Sequence, residues 1–573
     1  MLKNKYISTQ TYYLLCIIWA AIFTLISYRV VNLNGFDYEF HLSRIVGLAQ
    51  SIQNFDFLPN LNFIFSHGTG YASPMFYGNW QLYIPAITYI ITKNAIIAFT
   101  YYGFFINSLT VIACFFVYKD ISQEEDTSFM LACITPVFFS LYGFGMTAVV
   151  PLAFLLLHSL YLIVIKDKKN AFYLGIVTSL LIQSHTLSTL VLAIYSMIFI
   201  LVNMSKLSIK KIVTLFKALI ISLLLSIGFI IQFLEQISSQ SFFFQWNFRN
   251  FPRSSSNMFQ STNILKTVTE QVNYGGFASL VTPLTSLLLF TFIIFLLKKN
   301  LTELNPFSKS LIAVSLITIL LTSNLLPWKR LQDSFLGTLQ YPYRLTFFLP
   351  VLILIVYLIS LSKQKLMYFC LLSLVFYFTS SILTVPKDIT IDDYNKTNER
   401  YRSAFDDNTK VFISPIGDEY YSIDVDNQKV RETSFNSFEK KKNIVIHNMK
   451  NNYNKLEFDF SIKNPKLKSS VILPRVWYKG YTAVYSQGGE GSQPDFEKKQ
   501  FTNKEVSMNL ANKRNFSQNK VLNSGKIKLN LTNSGHVSIS YKKTFLQYIG
   551  FILEIAAWIF FSVVFLKKYF ING

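Results

Sequence analysis

Twelve apolar runs, most of them long enough to cross a membrane, dominate this sequence. They begin near residues 11, 95, 129, 147, 171, 186, 212, 276, 309, 345, 366 and 544. A helix needs roughly 20 apolar residues to cross the hydrocarbon core of a bilayer, and the runs at 129 and 171 are short by this measure. Since 51% of the chain is hydrophobic, the pattern predicts a polytopic α-helical membrane protein of about twelve spans.

The lysines predict how these spans are oriented. The net charge of +22 could indicate nucleic acid as a partner, but the lysines form short clusters between apolar runs rather than a continuous basic face. With a cytoplasmic N-terminus, every inner loop contains lysine, for example Lys119, Lys166 and Lys363, and the tight outer turns near 145 and 185 contain no Lys or Arg. This positive-inside pattern predicts a multi-pass protein of the cell membrane. Nucleic acid is not expected as a partner, and the richness in Lys, Asn, Phe and Tyr suggests a bacterium.

The same topology places five segments on the outer face. They are the loop 34–94, the turn Gln183–Ser188, and the segments 235–275, 327–344 and 385–542. Within the loop, the thirteen residues "WQLYIPAITYIIT" are too short for a span and predict a helix in the membrane interface. Stretches such as "KLEFDFSI" and "HVSISYK" alternate apolar and polar residues, which predicts an extracellular β-sandwich of seven to nine strands. We expect a transmembrane domain (1–384), a β-rich domain (385–542) and a final anchor (543–573).

The loop 34–94 opens with "NGFDYEFHLSRIVGLAQ", which is rich in ionisable residues. A helix beginning near Asp37 would place Asp37, His41 and Arg44 on one stripe, with Glu39 close by. These residue types suit acid–base chemistry at the membrane surface. The alternative is that Asp37 only caps the helix and that Arg44 contacts lipid headgroups.

Further candidates lie elsewhere on the outer face. His67 and Tyr71 belong to "HGTGYASPMFYGNWQLYIPA", whose glycines and aromatic residues suit a floor for a sugar or a lipid-linked ligand. His67 could also join Asp37 and His41 around a divalent metal ion, although no spacing is diagnostic of one. His185 lies at the outer end of a span, where an ionisable residue is a functional candidate and a helix-end histidine is equally consistent. Glu235 and Gln236 end another span and could bind acceptor hydroxyls.

Three motifs resemble known families. The acid after the first span, followed by D-x-x-x-H and by "GYASPMFYGNWQLYIPA", resembles the GT-C class of membrane glycosyltransferases. The element "LQYPYRLTFFLP" is similar to "QFPWR" of the bacterial YfhO-like and pyruvoyl-tetrahydropterin-synthase-related membrane families. The stretch "LPRVWYKGYTAVYS" resembles a strand pair in the outer domain of YfhO-like proteins, with Tyr481 in place of the usual Trp.

The resemblance implies a transferase that uses a polyprenyl-phosphate sugar, in a bacterium undecaprenyl-phosphate hexose, on the outer face of the membrane. The acceptor would be a cell-envelope glycan of the teichoic-acid or polysaccharide type. Asp37 matches the general base, and Glu39 and His41 accompany it.

The donor phosphate would bind Arg344 of "QYPYR", with Tyr343 and Arg44 as further candidates, because a guanidinium group suits a phosphate diester. The alternative for Arg344 is an arginine that anchors the span at the interface.

A transporter or flippase for a lipid-linked glycan is the competing function. Transporters of this size usually contain inverted repeats and helices broken near the membrane midplane. This sequence shows no repeat of fixed period, and its polar residues gather at one face. The pattern therefore favours the transferase.

The predicted orientation can be tested by thiol labelling in intact cells. A cysteine introduced by Glu490→Cys should react with a membrane-impermeant thiol reagent, and one introduced by Lys168→Cys should react only after the cells are opened. The reverse labelling would place the candidate site in the cytoplasm and contradict the assignment.

Overall fold

The structure is a computed structural model with a long helical part and a smaller β region. It describes residues 8–28, 37–139, 145–244, 278–322, 325–331, 334–339, 342–384, 390–415, 419–422, 425, 430, 439–440, 443–467, 469–486, 496–497, 525–531 and 533–571. The predicted order of a helical part, a β region and a last helix is confirmed.

Each of the twelve apolar runs contains at least one helix. The α-helices are α1 (Thr9–Ile26), α2 (Tyr38–Gln53), α3 (Ser73–Phe76), α4 (Tyr83–Thr92), α5 (Ala95–Ser122), α6 (Glu125–Ile134), α7 (Val150–Leu160), α8 (Ala171–Ile182), α9 (Thr186–Val202), α10 (Ile209–Leu224), α11 (Ile227–Ser239), α12 (Ala278–Lys298), α13 (Pro306–Thr322), α14 (Trp328–Leu331), α15 (Leu349–Ser360), α16 (Lys363–Thr384), α17 (Ile391–Asp406) and α18 (Phe545–Ile571). Short 3-10 segments include Ser66–Gly68, Trp80–Leu82, Met204–Lys206 and Pro342–Phe348, and Tyr161–Ile165 is a π-helix.

Four of the described helices are long and apolar enough to cross a membrane. They are Thr9–Ile26, Ala95–Ser122, Thr147–Ile165 and Phe545–Val564, and the bent pair α10–α11 makes a fifth if it is counted as one span. Other apolar helices, such as α8 and α9, are shorter. The apolar helices are thus compatible with a membrane protein, and the number of twelve spans stays a prediction.

The stretch 80–92 forms the short helix α4 after a 3-10 turn. Ile84, Ile87 and Ile91 of α4 are exposed, whereas Ala86 and Tyr89 are buried. The exposed isoleucines share one face of the helix, since they are three and four residues apart. An exposed apolar stripe of this kind suits a helix that lies along a membrane interface.

The pair α10–α11 is bent by 69°, and other helices satisfy the backbone at the break. The Leu225 carbonyl accepts hydrogen bonds from Gln183 Nε2 (2.7 Å) and Trp558 Nε1 (3.0 Å). Glu554 Oε2 accepts one from the backbone N–H of Gly228 (2.9 Å). The last helix, α18, therefore stabilises a break that would otherwise leave polar backbone groups without partners.

The β region consists of two antiparallel sheets. Its described strands are β1 (Glu439–Lys440), β2 (Ile444–Asn452), β3 (Lys455–Ile462), β4 (Ser469–Val476), β5 (Tyr481–Ser486), β6 (Phe496–Glu497), β7 (Lys526–Leu531) and β8 (Gly535–Tyr541). The sheet orders are β1-β4-β7 and β2-β3-β8-β5-β6. In β3, Leu456, Phe458 and Phe460 point inward at every second position, as the alternating pattern predicts. They share one apolar core with Val471 and Leu529 of the other sheet.

The loop 34–94 belongs to the same core. Phe40, Tyr71 and Phe76 of the loop lie in one buried cluster with Tyr401 of α17 and with the inward residues of both sheets. The side chain oxygens of Tyr401 and Ser43 are 2.9 Å apart. This core therefore contains residues from both sides of the predicted boundary at residue 384. The segment 385–542 contains the helix α17 before its strands.

Arg475 of β4 is fully buried where the loop meets the β region. Its guanidinium group donates to the Gly68 carbonyl, the Asn451 side chain and the Tyr453 carbonyl, and it lies 5.2 Å from the centre of the Phe63 ring. Burial lowers the pKa of Arg475 to about 10, so the group is charged at neutral pH. Arg475 thus fastens the Ser66–Gly68 turn to the sheets.

We predict that Arg475→Met lowers the melting temperature of the purified protein. The change leaves buried carbonyl groups without donors, and each such loss costs roughly 1–3 kcal/mol. Arg402→Met, at an exposed position of α17, is the matched control. Equal melting temperatures for the two variants would show that Arg475 does not hold the junction.

Candidate active site

Asp37 occupies the N-cap position of α2, but its side chain makes no capping hydrogen bond. Its φ of −104° and ψ of 15° differ from the extended conformation of a typical capping residue. Burial raises the pKa of Asp37 to about 6, and the charge of Arg344 opposes part of this rise. The alternative that Asp37 caps the helix is thus not supported by a hydrogen bond of its side chain. A carboxylate whose pKa lies near neutrality suits a general base.

Arg344 belongs to the 3-10 segment Pro342–Phe348, which leads into α15. Its Nη1 donates to the Leu339 carbonyl at 3.4 Å. Its charge acts on Asp37 and also on His185. The structure thus brings together residues from three of the segments that the sequence places on one face.

Arg44 is buried on α2 and organises the turn that follows α3. Its Nη2 donates to the carbonyls of Tyr77 (3.0 Å) and Gly78 (2.6 Å) and to Asn79 Oδ1 (3.2 Å). Its guanidinium carbon lies 3.8 Å from the centre of the Tyr77 ring, and its Nη1 lies 3.3 Å from His41 Nδ1. Arg44 therefore holds the loop in place. Its buried position does not fit the alternative that it contacts lipid headgroups.

Two histidines, the buried His41 and the half-buried His185, are neutral at physiological pH. Burial and the nearby charge of Arg44 lower the pKa of His41 well below its usual value. Burial and the charges of Arg344 and Arg44 lower the pKa of His185 to about 3. Burial and the charges of the two guanidinium groups thus keep the neighbouring imidazoles uncharged.

The ring of His185 has a defined orientation. His185 caps α9, and its Nδ1 accepts the backbone N–H of Ser188 at 3.3 Å, so the hydrogen of the neutral ring is assigned to Nε2. A Cβ atom on Gly145 would lie 3.1 Å from this Nε2 and 1.8 Å from the Tyr77 hydroxyl. Only glycine leaves room at this position, and the ring packs 4.9 Å from the ring of Tyr77.

The segment before the β-sheets contacts the loop 34–94 near these residues. Arg400 Nη1 is 3.3 Å from Glu39 Oε1, so Glu39 is engaged in an ion pair beside Asp37. The ring of Tyr420 stacks on Phe76 with a centroid distance of 5.3 Å. Burial and the negative charge of Glu419 raise the pKa of Tyr420. Arg44 opposes this rise, and Asp37 adds to it.

Sequence reasoning missed Tyr77, Arg400 and Tyr420. Tyr77 lies within a stretch whose aromatic residues were noted, so the pattern "MFYGNW" could have identified it. Arg400 and Tyr420 reach the site from more than 300 positions further along the chain, and no local pattern marks them.

Glu235 and Gln236 connect α11 to the β region and to the last helix. Glu235 Oε1 lies 3.2 Å from Lys479 Nζ, and Glu235 Oε2 accepts a hydrogen bond from Gln547 Nε2 at 2.8 Å. Gln236 Nε2 donates to the Lys479 carbonyl at 2.8 Å. Through these contacts both residues join α11 to the β region and to α18. Their role in acceptor binding stays a prediction.

His67 and Tyr71 also make contacts within the fold. His67 Nδ1 donates to the Thr409 carbonyl at 3.1 Å, and its ring packs against Phe412. The hydroxyl of Tyr71, which is buried, accepts the backbone N–H of Tyr420 at 3.2 Å. The side chain of Tyr343 lies outside the described residues.

The described residues contain no group of three or more His, Cys, Asp or Glu side chains that could hold a metal ion. Of the three residues considered for this role, His41 is hydrogen-bonded to Arg44, and His67 to Thr409. The divalent ion therefore stays a prediction.

Comparison of the chain with models of protein families, with curated proteins and with solved structures found no match. The function is therefore argued from the residues of the site and from their arrangement.

The raised pKa of Asp37 has a consequence for stability. A carboxyl group that binds its proton more tightly in the folded state stabilises the fold below about pH 4, and this contribution is lost as the pH rises through about 6. A shift of this size corresponds to no more than about 3 kcal/mol, and to less here because Asp37 is partly exposed. We predict that Asp37→Asn raises the melting temperature at about pH 7.5 and changes it much less at about pH 4.

Asp406→Asn, which removes an exposed carboxyl group of α17, is the control for this measurement. An equal effect of Asp37→Asn at both pH values would contradict the burial of an ionised carboxylate at the site.

Proposed function

We propose that the chain is a membrane glycosyltransferase that moves a sugar from a polyprenyl-phosphate donor to a hydroxyl group of a cell-envelope glycan or teichoic-acid-type acceptor. In a bacterium the donor would be undecaprenyl-phosphate hexose, and the reaction would take place at the outer face of the membrane. The observation that carries the proposal is that Arg344 lies within electrostatic reach of Asp37, beside apolar helices. A base and a phosphate-binding cation are the two groups that this reaction needs.

The residues suit a single displacement. The Asp37 carboxylate removes the proton of the acceptor hydroxyl as the acceptor oxygen bonds to the anomeric carbon. The bond between that carbon and the phosphate oxygen breaks, and the electron pair leaves with polyprenyl phosphate. Charge grows on the phosphate during this step, and the guanidinium group of Arg344 offsets it. Asp37 then gives its proton to water, and the transferred sugar has the inverted configuration.

A small apolar pocket lies close to Arg344, so the surroundings of this arginine suit a lipid-linked donor. Its lining includes Leu156, Tyr195 and Phe348, from α7, α9 and the segment before α15. The hydroxyl group of Tyr195 donates to the Leu345 carbonyl at 2.5 Å, directly after Arg344 in the chain.

A transporter for a lipid-linked glycan is the second candidate. The bent pair α10–α11 favours it, because discontinuous helices are common at the substrate sites of transporters. A transporter would bind an anionic substrate at the N-terminal end of α11. In this chain the carboxylate of Glu554 already occupies that end. The transferase accounts for Asp37 and Arg344 together, and the transporter accounts for neither.

We predict that Asp37→Asn lowers the transfer rate by roughly 10²–10⁴-fold while the protein remains folded, because the amide cannot accept the proton. The assay is transfer of radiolabelled sugar from a synthetic polyprenyl-phosphate donor to envelope acceptor by the reconstituted protein. The rate of the unchanged protein should rise as the pH passes through about 6, where Asp37 loses its proton. Full activity of a well-folded Asp37→Asn variant would rule out this base.

The same preparation separates the two candidate functions. A transporter would move the labelled lipid between the leaflets of a vesicle with its sugar still attached, and a transferase would release unsubstituted polyprenyl phosphate. Movement of intact donor without release, unchanged in Asp37→Asn, would replace the transferase with the transporter.

A further inference from the structure

A second group of charged side chains lies at the far end of the bundle. The helix α9 starts at the site, where His185 caps it, and it ends next to Asn203 and the turn Met204–Lys206. Between residues 166 and 211 the chain has one acid, Asp167, and six lysines. We call these six lysines the basic cluster: Lys166, Lys168, Lys169, Lys206, Lys210 and Lys211.

Backbone carbonyls hold part of the basic cluster together. Lys211 Nζ donates to the carbonyls of Val164 (2.7 Å) and Lys206 (3.1 Å). Burial and the charge of Lys211 lower the pKa of Lys206, which shows that the two ammonium groups are close. Asp167 lies 4.0 Å from Lys211, and its side chain is 74% exposed. One solvent-exposed acid offsets little of this positive charge.

The helix α10 adds to the positive potential. It begins directly after its N-cap residue Ser208, its first turn contains no acid, and Lys210 and Lys211 lie there. The N-terminal end of a helix has a partial positive charge, so lysines in the first turn are unfavourable there. An anion bound at this end would offset both the helix dipole and the lysines.

The same helix exposes an apolar row beside the cluster. Ile209, Ile212, Phe216, Leu219 and Leu223 are all exposed, and their spacing of three and four residues places them on one face of α10. Charge and apolar surface therefore meet at one helix end. This combination is complementary to an anionic lipid, whose headgroup carries a phosphate and whose chains need apolar contact.

We infer that the basic cluster binds the phosphate of an anionic phospholipid, with the acyl chains of the lipid along the apolar row of α10. The binding requires that the chain lies in a membrane, but it does not depend on glycosyl transfer. A zwitterionic lipid is a poorer partner, since its own cation would face the lysines.

Native mass spectrometry of the full chain in detergent tests this site, with phosphatidylglycerol and phosphatidylcholine as probes. The unchanged protein should retain phosphatidylglycerol about tenfold better than phosphatidylcholine. The variant with Lys168→Gln, Lys169→Gln and Lys210→Gln should lose most of this preference. All three side chains are exposed, so the fold should survive. A matched variant with Lys298→Gln, Lys299→Gln and Lys365→Gln should keep the preference for phosphatidylglycerol.

Equal retention of the two lipids, or an equal loss in both variants, would overturn the site. Displacement of the bound lipid by inorganic phosphate alone would also overturn the lipid site. In that case the basic cluster would be a binding site for a soluble anion. If the triple variant does not fold, the single change Lys210→Gln decides, with an expected loss of about twofold to fivefold.

Discussion

The proposed chemistry depends on a carboxylate that is held partly out of water within the electrostatic influence of a guanidinium group. Burial pushes the pKa of Asp37 upward and the charge of Arg344 pulls it back, which leaves it at about 6. With burial alone the group would bind its proton still more tightly, and with full exposure it would be a weaker base. The remaining residues of the site hold these two groups in place. Arg44 orders the turn at Gly78, and the charge of Asp37 acts on the hydroxyl group of Tyr420.

The loop between α1 and α5 owes its shape to contacts with distant parts of the chain. Arg475 fixes the turn at Gly68 from the β region, and Tyr401 packs against Ser43 from α17. Glu235 ties α11 to Lys479 and to the last helix. The β region therefore helps to fix the loop that carries the candidate site residues.

Local pattern predicted the elements well. The spacing of Asp37, His41 and Arg44 predicted a helix that begins near Asp37, and α2 begins there. The topology predicted from the lysines stays a prediction, although the charge of Arg344 does act on Asp37 and His185. Alternation in "KLEFDFSI" predicted a strand with one buried face. These features depend on residues that are neighbours in the sequence, and hydrophobic periodicity reports such features directly.

Tertiary contacts were not predictable in the same way. No pattern marks Arg400 as the partner of Glu39. The break before Gly228 is stabilised by Glu554, more than 300 residues away, so the sequence around the break gives no reason for it. The buried position of Arg44 was also missed, because an arginine on an amphipathic helix is usually exposed and only the carbonyls of the folded loop make its burial favourable.

The central claim is that Arg344 binds the donor phosphate and Asp37 acts on the acceptor side of the same anomeric carbon. A structure of the protein with a non-transferable polyprenyl-phosphate sugar tests it most directly. The account predicts the phosphate within hydrogen-bonding distance of the Arg344 guanidinium group, with the anomeric carbon between the phosphate and the Asp37 carboxylate. A phosphate bound elsewhere, or a sugar on the far side of Arg344 from Asp37, would contradict it.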